Sequence, residues 1–435
     1  MQFVDLGKRA YDHSFKIDPV IRSLLDMDFY KFLMLLLIWQ RHRDVPVTFS
    51  LTNRTKAVRL AEIVPEAVLR AQLDHVRELR FTKSELIWLA GNTFYGRKGI
   101  FPGDFITWLG QLQLPNYQLL QQDGQFKLDF TGSWAEVTLW EIYALAVINE
   151  LKSRSVLSKL KRLELDILYA RAKAKAWGKI ERLARLDNLN ITEFGTRRRH
   201  GYLWQEWIDL AMIEGLGTHF TGTSNAYLAM KLDLEAKGTN AHELPMVYAA
   251  LAGDDDVALK QAPYQVLADW QELYDGALRV MLPDTYGTTQ FLKDAPDWVA
   301  AWTGARIDSK DPVIGGEEMI AWWQSRGADP REKLLLFSDG LDIDDIENLH
   351  QRFHGRVRVA FGWGTKLTND FIGCLPHEGP ALDPVSLVCK VSAAAGRSAV
   401  KLSDNIGKAS GSVAEIARYA RVFGDQGRDR RDIIV

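Results

Sequence analysis

The chain is poor in cysteine. Only Cys374 and Cys389 occur among its 435 residues. That excludes a disulfide framework and a cysteine-rich metal centre, and it reads both thiols as small apolar side chains suited to a reducing cytosol. Long apolar runs are also missing. The longest, Phe32 to Trp39, falls far short of the roughly 20 residues that span a bilayer and reads as a buried helix. Met1 to Ala10 carries no apolar signal-peptide core. Neither sign of charge dominates: 54 Lys and Arg stand against 56 Asp and Glu, for a formal charge of -2. That balance argues against a dedicated nucleic-acid binder, yet it allows a phosphate site, which needs only a few local donors. No low-complexity linker divides the chain. Its length predicts two domains, or one barrel with a substantial addition.

The first 150 residues read as mixed. Residues 20–115 are mostly helical in pattern, with Arg59 to Leu79 at helix-like spacing around Pro65. Tyr117 to Thr131 alternates around Asp123-Gly124, a hairpin signal. Trp134 to Leu151 reads as a long apolar helix, and Leu157 to Leu189 as a basic one. From about residue 190 the texture changes. Short apolar runs end in polar, Gly-containing clusters, and helical stretches follow them. These ends include Glu193 to Arg197, Thr221 to Asn225, Pro283 to Thr288, Arg306 to Ser309, Phe337 to Gly340 and Phe361 to Thr365, with a last run, Ser386 to Val391, that carries Lys390. Strands alternating with helices predict parallel βαβ units, and polar strand ends are what a barrel displays on its catalytic face. The expected fold is therefore α/β: an irregular or incomplete barrel over 151–410, with an α+β domain over 1–150 and segment 411–435 as its candidate completion. An open doubly wound sheet is the competing architecture; it would gather ligand contacts at one switch point.

Several residues are candidates on chemistry alone. Ser338-Asp339-Gly340 and Gly362-Trp363-Gly364-Thr365 offer backbone N–H groups to a phosphate, or else simply make tight turns. Arg197 to Arg199 follow a strand directly and suit bidentate anion binding, or else form a solvated basic turn. His242 precedes Glu243, but position 246 is Met, so the zinc-helix spacing H-E-x-x-H is absent. Taken alone, such a histidine is more often a structural hydrogen-bonder than a catalyst. Asp308, Asp311, Asp339, Asp342, Asp344 and Asp345 supply carboxylates for ribose hydroxyls, for Mg²⁺ or for helix caps. The charge run from Arg428 to Asp432 reads as solvated.

Taken together and in order, these segments resemble the nicotinate phosphoribosyltransferases. The match runs through Leu25 to Lys31, Glu193 to Arg198, Thr221 to Asn225, Gly238 to Glu243, Asp284 to Thr288, Arg306 to Pro312, Phe337 to Asp342, Phe361 to Thr365 and Lys401 to Asp404. The resemblance implies transfer of phosphoribosyl from phosphoribosyl pyrophosphate to nicotinate, coupled to ATP hydrolysis through a phosphohistidine at His242 and assisted by Mg²⁺. It implies Asp308 as the ribose-side carboxylate. Gly340, Gly362, Gly364 and Thr365 become the 5′-phosphate cradle, and Tyr30 and Phe194 the aromatic pair around the pyridine ring. Arg306 and Arg197 hold the base carboxylate or the pyrophosphate in an unassigned order. In the family, Tyr30's counterpart reaches in from a second subunit, which implies a homodimer with shared sites. Ser224 stands where amide-using relatives carry an acid, which favours nicotinate over nicotinamide; a phosphoribosyltransferase using nicotinamide or quinolinate is the alternative within the same chemistry. Lys310 replaces the usual glycine of its turn, and Leu244-Pro245 follows Glu243 where an aromatic is common. A phospho-sugar lyase or isomerase barrel is the alternative of another class. It would need a lysine at the barrel centre, with Lys390 as the candidate.

Overall fold

Asp123 and Gly124 both take positive φ, 51° and 72°, the geometry a two-residue hairpin demands. They close one of the two larger sheets in a computed structural model that describes residues 19–431; a two-stranded hairpin, Thr93–Phe94 with Arg97–Lys98, stands apart, and Met1 to Ala10 lies outside the described residues. The strands of the two larger sheets are β1 (Pro46–Asn53), β2 (Tyr117–Gln122), β3 (Gln125–Ser133), β4 (Ile191–Glu193), β5 (Phe220–Thr223), β6 (Val280–Met281), β7 (Gly304–Ile307), β8 (Leu334–Phe337), β9 (Arg358–Trp363), β10 (Leu387–Ala394) and β11 (Arg397–Ser398). The first sheet is antiparallel, in the order β11-β10-β1-β3-β2. Alternation sets its inner face: Phe126, Leu128 and Phe130 of β3 are buried while their neighbours are less so.

The second sheet is parallel throughout, in the order β5-β4-β9-β8-β7-β6. Six strands in chain order thus run round a circle that is cut between β5 and β6. The first strand, β4, lies beside the last, β9, which excludes the doubly wound alternative and leaves an incomplete barrel. An irregular segment occupies the cut. Ala236 bridges Thr223 in parallel, Lys237 N–H donates to Thr223 O at 2.9 Å, and Asn240 Nδ2 donates to Val280 O at 3.5 Å. Gly222 permits this approach, since its φ is 136° and a Cβ there would collide with Glu235 O.

Three elements depart from the sequence expectations. The last run belongs to the first sheet: β10 pairs antiparallel with β1, with Phe49 opposite Val391 and Ser50 opposite Lys390. The reason is patterning. Leu387, Cys389 and Val391 alternate with less buried neighbours, as one face of an antiparallel sheet requires, whereas β8 is a continuous Leu-Leu-Leu-Phe run suited to a barrel wall. Residues 411–431 add no strand to the first sheet. Helix Val413–Phe423 packs on helix Asp256–Leu273, and Phe423 stacks on Tyr286 at 4.2 Å. The expected helix over Arg59 to Leu79 is broken into Leu60–Ile63 and Glu66–Glu78, because Pro65 holds Val64 in extended backbone.

Helices that carry or adjoin site residues include α1 (Tyr30–Arg41), α2 (Trp140–Leu157) and α3 (Glu243–Leu251). As the apolar run predicts, α1 is buried from Tyr30 to Ile38. Among the described residues no helix is long and apolar enough to cross a membrane. Both cysteines are free and buried, and burial pushes their thiols up in pKa, which makes them inert.

Candidate active site

A cleft of about 1360 Å³ lies between the strand ends of the incomplete barrel and the β1–β10 face of the first sheet. Its floor is an ion cluster. At the end of β7, Arg306 Nη2 donates to Asp308 Oδ1 at 2.6 Å and Arg306 Nε donates to Ser338 Oγ at 2.8 Å. Ser338 Oγ in turn donates to Asp308 Oδ1 at 3.0 Å. Burial pushes the Asp308 carboxyl up, but Arg306, His242 and Lys401 outweigh it and hold it well below the usual carboxylate range.

His242, at the start of α3, completes the cluster. Its Nδ1 lies 2.9 Å from Thr285 Oγ1, and its Nε2 lies 3.0 Å from Asp308 Oδ2 and 2.8 Å from Lys401 Nζ. Burial lowers its pKa, despite Asp284 and Asp308, so the ring is neutral at neutral pH. A neutral ring satisfies one of the two Nε2 contacts at a time. With its proton on Nδ1 it donates to Thr285 and presents a lone pair to Lys401; with the proton on Nε2 it donates to Asp308.

The same atoms make the one metal-ligand grouping among the described residues, since His242, Asp284 and Asp308 offer ligand atoms within 4.8 Å of one another. Lys401 Nζ already lies 3.5 Å from Asp284 Oδ2, and Arg306 pairs with Asp308. A mixed imidazole and carboxylate set that cations already balance is a poor fit for Mg²⁺, which prefers oxygens and keeps waters and phosphate ligands.

The aromatic end of the cleft is built by Tyr30 and Phe194. Arg197 lies 5.7 Å from the Tyr30 ring centroid and pairs with Asp28 at 3.2 Å and Glu141 at 3.5 Å. Tyr30 comes from the same chain as Phe194, and both line the one cleft. The pocket continues into the barrel interior as a second hollow of about 850 Å³, past Thr192, Leu336 and Ala360. The cut between β5 and β6 lies along this hollow.

The opposite wall is cationic. Lys390 of β10 faces the strand ends alongside Arg54, Arg198 and Lys408. Burial, then Lys401 and Arg54, hold the Lys390 amine well below the usual lysine range. Arg198 is lowered to about 10 by burial, Arg197 and Arg54. Lys408 Nζ donates to Asp339 Oδ2 at 2.5 Å. Gly340, with φ 61°, turns the backbone after β8 where a side chain would be strained. Gly364 and Thr365 line the same side of the cleft.

Behind the cleft sits a buried ammonium. Lys31 Nζ pairs with Glu141 at 2.6 Å and Glu243 at 2.5 Å. Trp134 Nε1 and Thr138 Oγ1 each donate to Glu243 Oε1 at 2.6 Å. The network fixes α1, and so Tyr30, against the start of α3, and so His242.

The fold thus gathers His242, Asp308, Arg306, Tyr30, Phe194, Arg197, Asp339, Gly340, Gly364, Thr365 and Lys390 in one cleft. Two expected residues take other positions. Gly362 does not line it. An added Cβ there would lie 3.0 Å from Phe194 Cγ and closer still to the ring's outer atoms, so Gly362 is the seat of the Phe194 ring rather than a phosphate donor. Ser224 faces the inner hollow, and its hydroxyl donates to Asp28 Oδ1 at 2.7 Å. A carboxylate therefore stands next to the neutral serine, and burial raises its pKa against the pull of Arg197. Lys390 lies on the antiparallel sheet, not at the barrel centre, which removes the lyase reading's candidate. Asp284, Thr285 and Lys401 sit within the motifs cited above but were not singled out as site residues. Arg54 and Glu141 lie in stretches with no motif, and only the tertiary fold reveals them. Of the two departures from the family pattern, Lys310 reaches Thr289 Oγ1 at 2.7 Å and also pairs with Glu318, and Pro245 sits in the first turn of α3, where its carbonyl accepts from Tyr286 Oη at 2.9 Å.

Comparison with known proteins agrees with this geometry. The model of the nicotinate phosphoribosyltransferase (NAPRTase) family matches residues 189–427, and that of the NAPRTase N-terminal domain matches residues 25–149. A nicotinate phosphoribosyltransferase structure from Vibrio cholerae is 29% identical, with 94% of this chain and 95% of that one covered and a TM-score of 0.81. One from Porphyromonas gingivalis is 27% identical, with 93% and 100% covered and a TM-score of 0.80. A putative one from Saccharomyces cerevisiae is 27% identical, with 94% and 100% covered and a TM-score of 0.81. With one family model covering more than half its length and the other covering the first sheet's side of the site, the chain belongs to the nicotinate phosphoribosyltransferase family.

Proposed function

We propose that the chain joins nicotinate to the phosphoribosyl group of phosphoribosyl pyrophosphate, giving nicotinate mononucleotide and pyrophosphate in NAD salvage. The observation that carries this reading is continuity. One cleft holds an aromatic and arginine pocket sized for a flat anionic ring, a carboxylate at its centre, and two glycine turns facing a cationic wall. Tyr30 and Phe194 take the pyridine ring by offset stacking. Arg197, which faces the Tyr30 ring, takes its carboxylate. The ring nitrogen bonds to the ribose C1 as the C1–O bond breaks, and the electron pair leaves with pyrophosphate. Asp308, ionised and fixed, faces the positive charge that develops at C1. The turns at Gly340 and Gly364 hold the 5′-phosphate, while Lys390, Arg198 and Arg54 face the leaving diphosphate. Mg²⁺, carried in on the phosphates rather than on dedicated protein ligands, supplies neutralising charge when bound.

ATP coupling through His242 belongs to the same reading. A neutral imidazole with a lone pair beside Lys401 is fit to attack a terminal phosphorus: the P–N bond forms as the P–O bond to ADP breaks, and water later returns phosphate. The family also implies a homodimer; with Tyr30 in its own chain's pocket, each subunit of such a dimer carries its own site. Free thiols and water-soluble substrates fit a cytoplasmic enzyme.

The test supplies phosphoribosyl pyrophosphate, Mg²⁺ and ATP with nicotinate, nicotinamide or quinolinate in parallel. Mononucleotide is expected from nicotinate. Product from another base, and none from nicotinate, overturns the assignment.

A further inference from the structure

The charged run that begins at Arg428 reads in the sequence as a solvated stretch, and its middle residues Asp429 and Arg430 are exposed. Arg428 and Arg431 are half-buried and face inward. Arg428 Nε donates to Ser403 O at 2.9 Å and its Nη2 to Leu402 O at 3.1 Å. Arg431 Nη2 donates to Ser309 O at 2.6 Å. Between them, Asp429 N–H donates to Asp404 O at 3.0 Å and Asp429 O accepts from Ile406 N–H at 2.8 Å.

These contacts fall on two loops that supply the ion cluster. One loop carries Lys401, whose ammonium meets His242. The other carries Asp308, and its Ser309 hydroxyl donates to Asp284. The first loop is strained. Ser403 has φ 63°, a left-handed conformation that a non-glycine residue keeps only where its surroundings over-determine it. The determinants are visible: the Leu402 and Ser403 N–H groups both donate to Thr285 O, at 2.9 and 3.0 Å, and Arg428 holds the two carbonyls. Thr285 is also the residue that meets His242 Nδ1.

We propose that Arg428 and Arg431 are positioning residues, and that the segment Arg428–Arg431 straps the Lys401 loop to the Asp308 loop so that Lys401, His242 and Asp308 are held in register. Neither arginine lines the cleft. The guanidinium fork matters because it takes two adjacent carbonyls at once, which lysine cannot reproduce. The inference rests on the functional reading above for its kinetic consequence, but not for its structural one.

The test compares Arg428→Met and Arg431→Met with Arg430→Met, an exposed control on the same segment. Arg428→Met is expected to lower kcat by roughly ten- to a hundredfold, the scale of a misplaced catalytic group, with KM for nicotinate within about twofold, since Tyr30 and Phe194 are untouched. Arg430→Met is expected to behave as wild type. Added guanidinium ion is expected to restore part of the lost kcat in an Arg428→Gly variant, which a purely structural defect would not show. Hydrogen exchange at the Leu402 and Ser403 amides is expected to accelerate in Arg428→Met, and this readout needs no substrate. Should the wild type transfer no phosphoribosyl group, the functional reading fails while exchange still tests the strap. Unchanged exchange at these amides, or an unchanged kcat in a folded Arg428→Met variant, overturns the proposal.

Discussion

A methyl group at position 362 tests how the base pocket is built. Gly362 sits within β9, paired to Thr192 of β4 on one side, and neighbouring β9 residues pair with β8 on the other. The backbone of Phe194 is tied to the same strand by its N–H to Trp363 O at 2.9 Å. Neither backbone can retreat without breaking a ladder, so the Phe194 ring must yield. The added Cβ would lie 3.0 Å from Cγ and closer to the ring edge, whereas carbon atoms pack best at about 3.5–4.0 Å. The outer ring atoms must therefore move by about 1 Å. Two consequences are separable. Overpacking costs about 1–3 kcal/mol of stability, read as a lower Tm. Loss of offset stacking costs about 0.5–1.5 kcal/mol, a roughly two- to thirteenfold rise in KM for nicotinate. KM for phosphoribosyl pyrophosphate is expected to stay constant, because Gly340, Gly364 and the cationic wall do not move. The assay is steady-state mononucleotide formation by Gly362→Ala with each substrate varied in turn. If KM rises for phosphoribosyl pyrophosphate and not for nicotinate, Gly362 is a phosphate donor after all and the packing argument is wrong.

Other outcomes follow from the same geometry. His242→Ala is expected to abolish nicotinate-stimulated ATP hydrolysis yet retain slow ATP-independent transfer, measured by ADP and mononucleotide release; undiminished ATP stimulation would remove His242 from the coupling. Mixing Tyr30→Ala with Phe194→Ala is expected to restore no activity, because each chain carries both rings of its own pocket; recovery on mixing would show that sites are shared. Glu193, which accepts from Thr223, Gln205 and the Gly195 N–H, is raised from 4.5 to about 7 by burial. For an acid whose folded pKa is raised, the folded state holds the proton longer, so this contribution is full below pH 4.5 and is lost as pH climbs to about 7. Unfolding free energies of wild type and Glu193→Gln, from denaturant titrations across that window, are expected to diverge by about 3 kcal/mol in total; parallel curves of stability against pH would refute the assignment.

Much of this protein was legible as pattern. Asp123-Gly124 flanked by alternation fixed a hairpin, because few residues accept two consecutive positive φ angles. Asp342, a candidate helix cap in the sequence, does cap a helix, whose Ile346, Leu349 and Phe353 are buried at helical spacing. Short apolar runs ending in polar clusters located the strand ends, and ordered motifs assigned His242, Asp308 and Tyr30 to one family's chemistry. Other features had no local signature. Where β10 belongs was settled by partner strands far away in the chain. Arg54 and Glu141 enter the site only because the first sheet and helix α2 pack against the barrel's strand ends. Gly362 looked like a phosphate turn until the Phe194 ring was found resting on it, and Arg428 looked solvated until its guanidinium was found on two carbonyls. Sequence specifies backbone preference and hydrophobic period, which are properties of neighbours along the chain. Which side chain fills a given space, and which carbonyl a guanidinium reaches, depends on residues brought together by packing, and only the tertiary structure decides it.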